Sequence, residues 1–165
     1  MEFDFQPLER HHVLAILGWQ YPAPYDCYNF KEDNHQADLS YLLEPQNAFS
    51  AILNKHQELE GYCSFGADGQ VPGGNYSTQA LDIGMGIRPD LTDKGQGRRY
   101  ALAVAHFGVQ RYHIKQLRVT IAEFNQRAQR VWISLGFESV EIFVTTNSDQ
   151  TFLVLVRDGE GRSHK

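Results

Sequence analysis

Glycines 95 and 97, within Arg88-Pro89-Asp90-Leu91-Thr92-Asp93-Lys94-Gly95-Gln96-Gly97-Arg98-Arg99, form the segment of this chain best suited to chemistry. Lacking Cβ atoms, such a turn lets successive backbone N–H groups converge on a single anion. From Arg98 onward Ala101, Leu102, Ala105 and Val109 recur at helical spacing, so the turn feeds the positive end of a helix. The combination predicts a phosphate cradle, with Thr92, Asp93, Lys94, Gln96 and Arg98 as its side chains. Two better-known phosphate fingerprints do not fit. Walker A needs four residues between its glycines followed by Gly-Lys-Ser/Thr, and the dinucleotide fingerprint needs a third glycine.

The elements around the cradle follow from residue pattern. Residues 81–87 alternate Leu81, Ile83, Met85 and Ile87 with Asp82, Gly84 and Gly86, the period of a half-buried strand. Residues 116–122 are a second strand rich in β-branched side chains, and residues 125–135 a helix ending at Gly136. In order, the chain reads strand, Thr-x-x-Gly-x-Gly, helix, strand, then Asn125-x-x-Ala128-x-x-x-Trp132-x-x-x-Gly136-Phe137.

These two ordered motifs resemble the GNAT superfamily of acyl-CoA-dependent N-acetyltransferases, strongly over residues 81–137 and elsewhere by order of elements. The resemblance implies acetyl-CoA as co-substrate, bound by Met85, Gly86 and Ile87, by the cradle from Thr92 to Arg98, and by Asn125 and Trp132. It also implies a V-shaped splay between residues 83–87 and 117–122. Two positions depart from the family pattern. Thr92 stands where the family usually has Gln or Arg, and its hydroxyl is free to add a hydrogen bond to phosphate. Trp132 stands where a Tyr often protonates the departing thiolate, a proton that indole does not supply. A thiol pKa of about 8.5 makes the thiolate a tolerable leaving group without that acid.

Acetyl transfer also needs an oxyanion donor, for which a backbone N–H near Gly86 or Ile87 is the candidate, and a base for an amine of pKa roughly 10. Asp82 is the first candidate base. Period-2 alternation sets it opposite Ile83 and Ile87, so a bulge is needed to aim it, and a strand-edge carboxylate is the equal alternative. Glu123 is the second, at a position where helix dipoles also favour an acid. Thr120 is placed to orient a water. Asn125 caps the following helix as well as reaching the cofactor. By family position the aromatic connector carrying Trp19, Tyr21, Tyr25 and Tyr28 walls the acceptor side, its ring faces attracting a cation; a hydrophobic cluster under a loop is the alternative.

Elsewhere, residues 8–19 read as a first helix, 38–43 as a helical turn, 48–53, 59–65, 140–144 and 152–156 as strands, and 66–78 as a long, mobile or site-flanking loop. The sum is one α+β domain over residues 1–165, with a central, mostly antiparallel sheet of six to seven strands flanked by helices. At 165 residues and 42% hydrophobic the chain suits one full core. No segment reaches the roughly 20 apolar residues of a membrane span, and the N-terminus lacks a signal pattern, so a cytoplasmic location is expected. Cys27 and Cys63 are expected to be reduced packing residues. A net charge of −5 with interspersed arginines argues against nucleic acid. The seven histidines lack metal spacing, and no metal is expected. The expected activity is direct acetyl transfer to a primary amine, a small molecule slightly favoured over protein, by a monomer or homodimer. The alternative is a non-catalytic acyl-CoA-binding or sensing module.

Overall fold

A computed structural model describes residues 2–158. Strands β1 (Asp4–Pro7), β2 (Phe49–Leu53), β3 (Leu59–Phe65), β4 (Leu81–Ile87), β5 (Gln116–Ala122), β6 (Glu138–Val144) and β7 (Thr151–Asp158) form one sheet in the order β1-β2-β3-β4-β5-β7-β6. Neighbours are antiparallel except β4 and β5, which run parallel and pair only at Leu81 with Leu117 and Asp82 with Arg118. Past those two pairs the strands part. The expected splay is therefore present, and it begins at residue 83.

Four helices cover the sheet: α1 (Arg10–Leu17) and α2 (His35–Leu43) on one face, α3 (Gly97–Tyr112) and α4 (Gln126–Ser134) on the other. Ile83, Leu117, Val119 and Ile121 bury their side chains against Tyr100, Ala101 and Val104 of α3 and Trp132 of α4 in the main core. On the opposite face Val13, Leu17, Leu42 and Phe49 form a second cluster, with Tyr62 packed against it. Period-2 alternation assigns β4 the same way: Ile83, Met85 and Ile87 face α3, while Asp82, Gly84 and Gly86 face the α1/α2 side.

The strand expected over residues 59–65 and those at 81–87 and 116–122 keep their bounds. β1 was not foreseen, because four residues give too short an alternation to separate from a leading coil. The first helix is shorter than 8–19, the residues 38–43 belong to a helix that starts at His35, and β2 begins after Ala48, whose φ of 53° breaks the strand. Cys63 is buried as expected, whereas Cys27 is exposed and packs no core.

The loop over residues 66–78 is pinned rather than loose. Pro72 O accepts from Thr145 Oγ1 (2.7 Å) and Thr146 N–H (3.1 Å), Asn75 N–H donates to Glu141 Oε1 (3.1 Å), and Tyr76 Oη bonds Thr120 Oγ1 (2.9 Å). It thus crosses from β3 to the β6–β7 hairpin. Among the described residues no helix is long and apolar enough to cross a membrane.

Candidate active site

The register of β3 and β4 decides which β4 backbone groups face the splay. Arg88 N–H donates to Glu60 O and Gly66 N–H to Asp82 O, both at 2.9 Å. In an antiparallel ladder, bonded pairs recur every second residue, so the pairs Tyr62–Gly86 and Ser64–Gly84 are also of the bonded kind. Even-numbered residues of β4 are thereby committed to β3. The N–H and C=O groups of Ile83, Met85 and Ile87 point to the other side, where β5 has diverged. Of the two proposed oxyanion donors the ladder removes Gly86 and retains Ile87, and it adds Met85.

At the end of β4 a short 3-10 turn, Pro89–Leu91, leads into the Gly-rich segment. Asp93 and Gly95 both adopt left-handed φ values, 58° and 71°, and a Cβ at Gly95 would meet nothing within 4 Å. The turn therefore presents open backbone. α3 then starts at Gly97 with no acidic residue in its first turn and no bond from the N-cap Gln96 side chain to the first-turn N–H groups; that side chain accepts from Arg99 Nη1 instead (2.6 Å). Gly97 is small for a different reason than Gly95: a Cβ there would lie 3.0 Å from Val131 of α4. The Thr92 hydroxyl is already spent, donating to Pro89 O at 2.7 Å, so it has no proton left for a phosphate. Lys94 and Arg98 are exposed at the rim.

The three expected catalytic side chains are not brought together in the splay. Asp82 is 3% exposed, and no bulge aims it into the cleft. Its Oδ1 accepts from Arg118 Nε (2.6 Å), and its Oδ2 accepts from Arg118 Nη2 (2.8 Å) and Gln70 Nε2 (2.9 Å). The strand pairing Asp82–Arg118 sets these side chains abreast at the apex of the V, and the pair holds the Arg118 guanidinium above its ordinary pKa. A carboxylate so neutralised and desolvated is committed to Arg118 and Gln70 and is not aimed at an amine. Thr120 bonds Tyr76 under the pinned loop in place of a water. Glu123 is exposed just past β5; its N–H continues the ladder to Thr151 O, and by parity its side chain falls on the Ile121 side, away from α1 and α2.

Asn125 is the N-cap of α4, its Oδ1 accepting from Ala128 N–H at 3.0 Å, and its Nδ2 donates to Tyr28 Oη at 3.2 Å. Trp132 is 5% exposed and meets Phe137 edge-on at 5.1 Å between ring centroids. That packing makes it a core residue rather than a wall of the cofactor pocket.

The aromatic connector divides between the two arms of the V. Trp19 lies against Tyr62 (6.0 Å between centroids), and Tyr21 Oη donates to Ile87 O at 2.6 Å. Burial pushes the Tyr21 hydroxyl up to about 12, so it stays a donor. Tyr25 and Tyr28 instead stack near Phe124 beyond β5, and Arg127 already stands over the Tyr25 ring at 4.0 Å. Tyr25 thus has its cation from within the chain.

A group the sequence did not disclose lies on the α1/α2 face of β4. Asp68, in the short turn Ala67–Gly69 after β3, accepts from Ser64 Oγ (2.7 Å) and Tyr41 Oη (2.6 Å). Ser64 is fully buried. A Cβ on Gly84 would come within 2.5 Å of Ser64 Oγ and 3.1 Å of Asp68 Oδ2, and one on Gly86 within 2.6 Å of the Tyr62 ring. The glycines of Gly84-Met85-Gly86 therefore make room for Ser64, Asp68 and Tyr62. The one signal available in sequence was the long loop that carries Asp68.

A half-open parallel strand pair thus stands beside a Gly-rich turn that starts a helix. The acetyltransferase (GNAT) domain model matches residues 11–138, and the chain belongs to that family. Among solved structures it is similar to a chimera of spermidine N-acetyltransferase from Vibrio cholerae and hSSAT, at 14% identity over 97% of both chains with a TM-score of 0.74. A GNAT-family acetyltransferase from Bacillus anthracis is 14% identical over 97% of this chain and 99% of its own, with a TM-score of 0.73. At such identity these likenesses speak to the fold. No curated protein matches the sequence. The chain is accordingly an acyltransferase by family.

Proposed function

We propose that this protein moves the acetyl group of acetyl-CoA directly to an amine, with a small amine-bearing molecule as acceptor. The observation that carries the reading is the open edge of β4, where Met85 offers a backbone donor and acceptor and Ile87 a donor, its carbonyl accepting from Tyr21, beside a Gly-rich turn with open space at Gly95. These groups fit an extended, amide-bearing arm with a phosphate end. The free N–H of Met85 or Ile87 stabilises the oxygen on which charge builds, and a donor fixed in a strand needs no reorganisation to do so. Asn125 and the cradle from Asp93 to Arg98, acting chiefly through backbone, hold the remainder, Thr92 having turned both its donors to Pro89 O. No titratable acid stands at Trp132, and the thiolate leaves without one. The amine class follows the family, and the structural neighbours named for spermidine favour a small acceptor.

The test is calorimetric titration with acetyl-CoA beside a free-thiol release assay over mono-, di- and polyamines. Binding with amine-dependent thiol release is the expected result. Binding without release from any amine would overturn catalysis in favour of a sensing module, and no binding would overturn the cleft assignment.

A further inference from the structure

We infer that Asp68 is the residue that anchors a positively charged nitrogen of the acceptor, an assignment that rests on the acetyltransferase reading and names the acceptor side of its site. Four observations converge on it. The carboxylate stands over the splayed half of β4, in the volume that a side chain at Gly84 would fill, one residue from the free backbone of Met85. Its two oxygens are aimed by hydroxyl donors from two other elements, Ser64 of β3 and Tyr41 of α2. Both donors are neutral. Among the described residues the ion pairs are Arg88–Asp90, Arg99–Glu2 and Arg118–Asp82, so no cation among them pairs with Asp68.

The charge is also reachable. Asp68 and Tyr41 are exposed, and behind them rings pack in series back to the connector: Tyr41 edge-on to the buried Phe49 (5.7 Å), Phe49 against Tyr62 (6.1 Å), and Tyr62 against Trp19. A ring face beside the carboxylate, that of Tyr41, favours an organic ammonium over a hydrated metal ion. Burial first, and the carboxylate second, push the Tyr41 hydroxyl far above its ordinary range, so it remains a hydrogen-bond donor while a cation arrives. Tyr62 is raised in the same way, mainly by burial.

Asp68 fixes the cation and leaves the attacking nitrogen to lie along β4. Successive residues of a strand are about 3.3 Å apart, so Gly84 and Ile87 are separated by roughly 10 Å. An acceptor with two nitrogens on a flexible chain spans that range, with one ammonium at Asp68 and the other nitrogen, once deprotonated, at the free N–H groups.

The experiment pairs binding with turnover in wild type and Asp68→Asn, which removes the charge, keeps an acceptor oxygen for one of the two hydroxyls and turns an NH2 donor to the other. With 1,7-diaminoheptane as probe and CoA present, calorimetry is expected to show at least tenfold weaker amine binding in the variant, with CoA affinity and melting temperature unchanged. In turnover, KM for the diamine should rise at least tenfold while transfer to hydroxylamine, uncharged at neutral pH, is unaffected. Equal diamine affinity in both proteins, or no diamine binding by the wild type, overturns the anchor. Diamine binding lost in Asp68→Asn with no thiol release even in wild type overturns the acetyltransferase reading and leaves the anchor standing.

Discussion

Asp82 is 3% exposed and receives a guanidinium and a primary amide, whereas Asp68 reaches solvent and receives two hydroxyls. The two are close in space, since a Cβ on Gly69 would lie 3.3 Å from the Asp82 backbone. The first sits at the apex of the V, where β4 and β5 still pair; the second flanks the half where they have parted. The lesson concerns charge balance. A buried carboxylate matched to an arginine is structural, because its desolvation is offset inside the chain. One wired only by neutral donors keeps its full charge for something outside.

The largest effect expected is at Asp82. Asp82→Asn leaves Arg118 buried without its counter-charge and should cost about 3–5 kcal/mol of stability in urea unfolding. Unchanged stability with lost turnover would reverse the comparison and return Asp82 to the role of base. Gly84→Ala probes the other side. Its methyl group would crowd Ser64 Oγ, at a cost of about 1–3 kcal/mol, and displace the Asp68 carboxylate, raising KM for the amine but not for acetyl-CoA.

A third variant separates the mouth from both carboxylates. Gly95→Asp places a negative charge in open space at a left-handed position that Asp tolerates, and should weaken acetyl-CoA binding about tenfold, or 1.4 kcal/mol, by calorimetry. Equal affinity would refute the cradle. The smallest effect is one of pH on the helix layer over the Asp68 face. His12 is buried, and burial with the nearby His11 lowers its pKa; its Nδ1 accepts from Glu9 N–H at 3.0 Å to start α1. Below the unfolded value near 6.5 the unfolded chain binds the extra proton first, so stability present at pH 7 should decline as pH falls toward 5. Thermal melts of His12→Gln should lose that slope, while Arg118, held charged by Asp82, contributes none.

Patterns local in sequence were legible. Alternation located β4 and β5, glycine placement located the turn and the helix behind it, and two spaced motifs indicated the family. What alternation could not reveal was which partner each polar residue finds. Alternation left Asp82 equally a bulge-aimed base or a strand-edge carboxylate, and only its cross-strand neighbour Arg118, 36 residues later, decides for the structural role. Thr92 looked like a phosphate ligand until its hydroxyl turned to Pro89. Asp68 was passed over because its environment is assembled from α2, β3 and β4, none of which marks it in the sequence. The glycines at 84 and 86 were visible, but the side chains that require them come from the next strand.

The segment running from β3 to β4 also has a mechanical consequence. Only two residue pairs join the four-strand half of the sheet to the three-strand half, which alone would make the apex of the V a hinge. The segment begins on one half and is fastened to the other at Thr120, Glu141, Thr145 and Thr146. It acts as a tie across a wedge, fixing the opening angle against the strain of ligand entry. Shortening that tie would alter how far the arms stand apart without touching any residue that lines the gap.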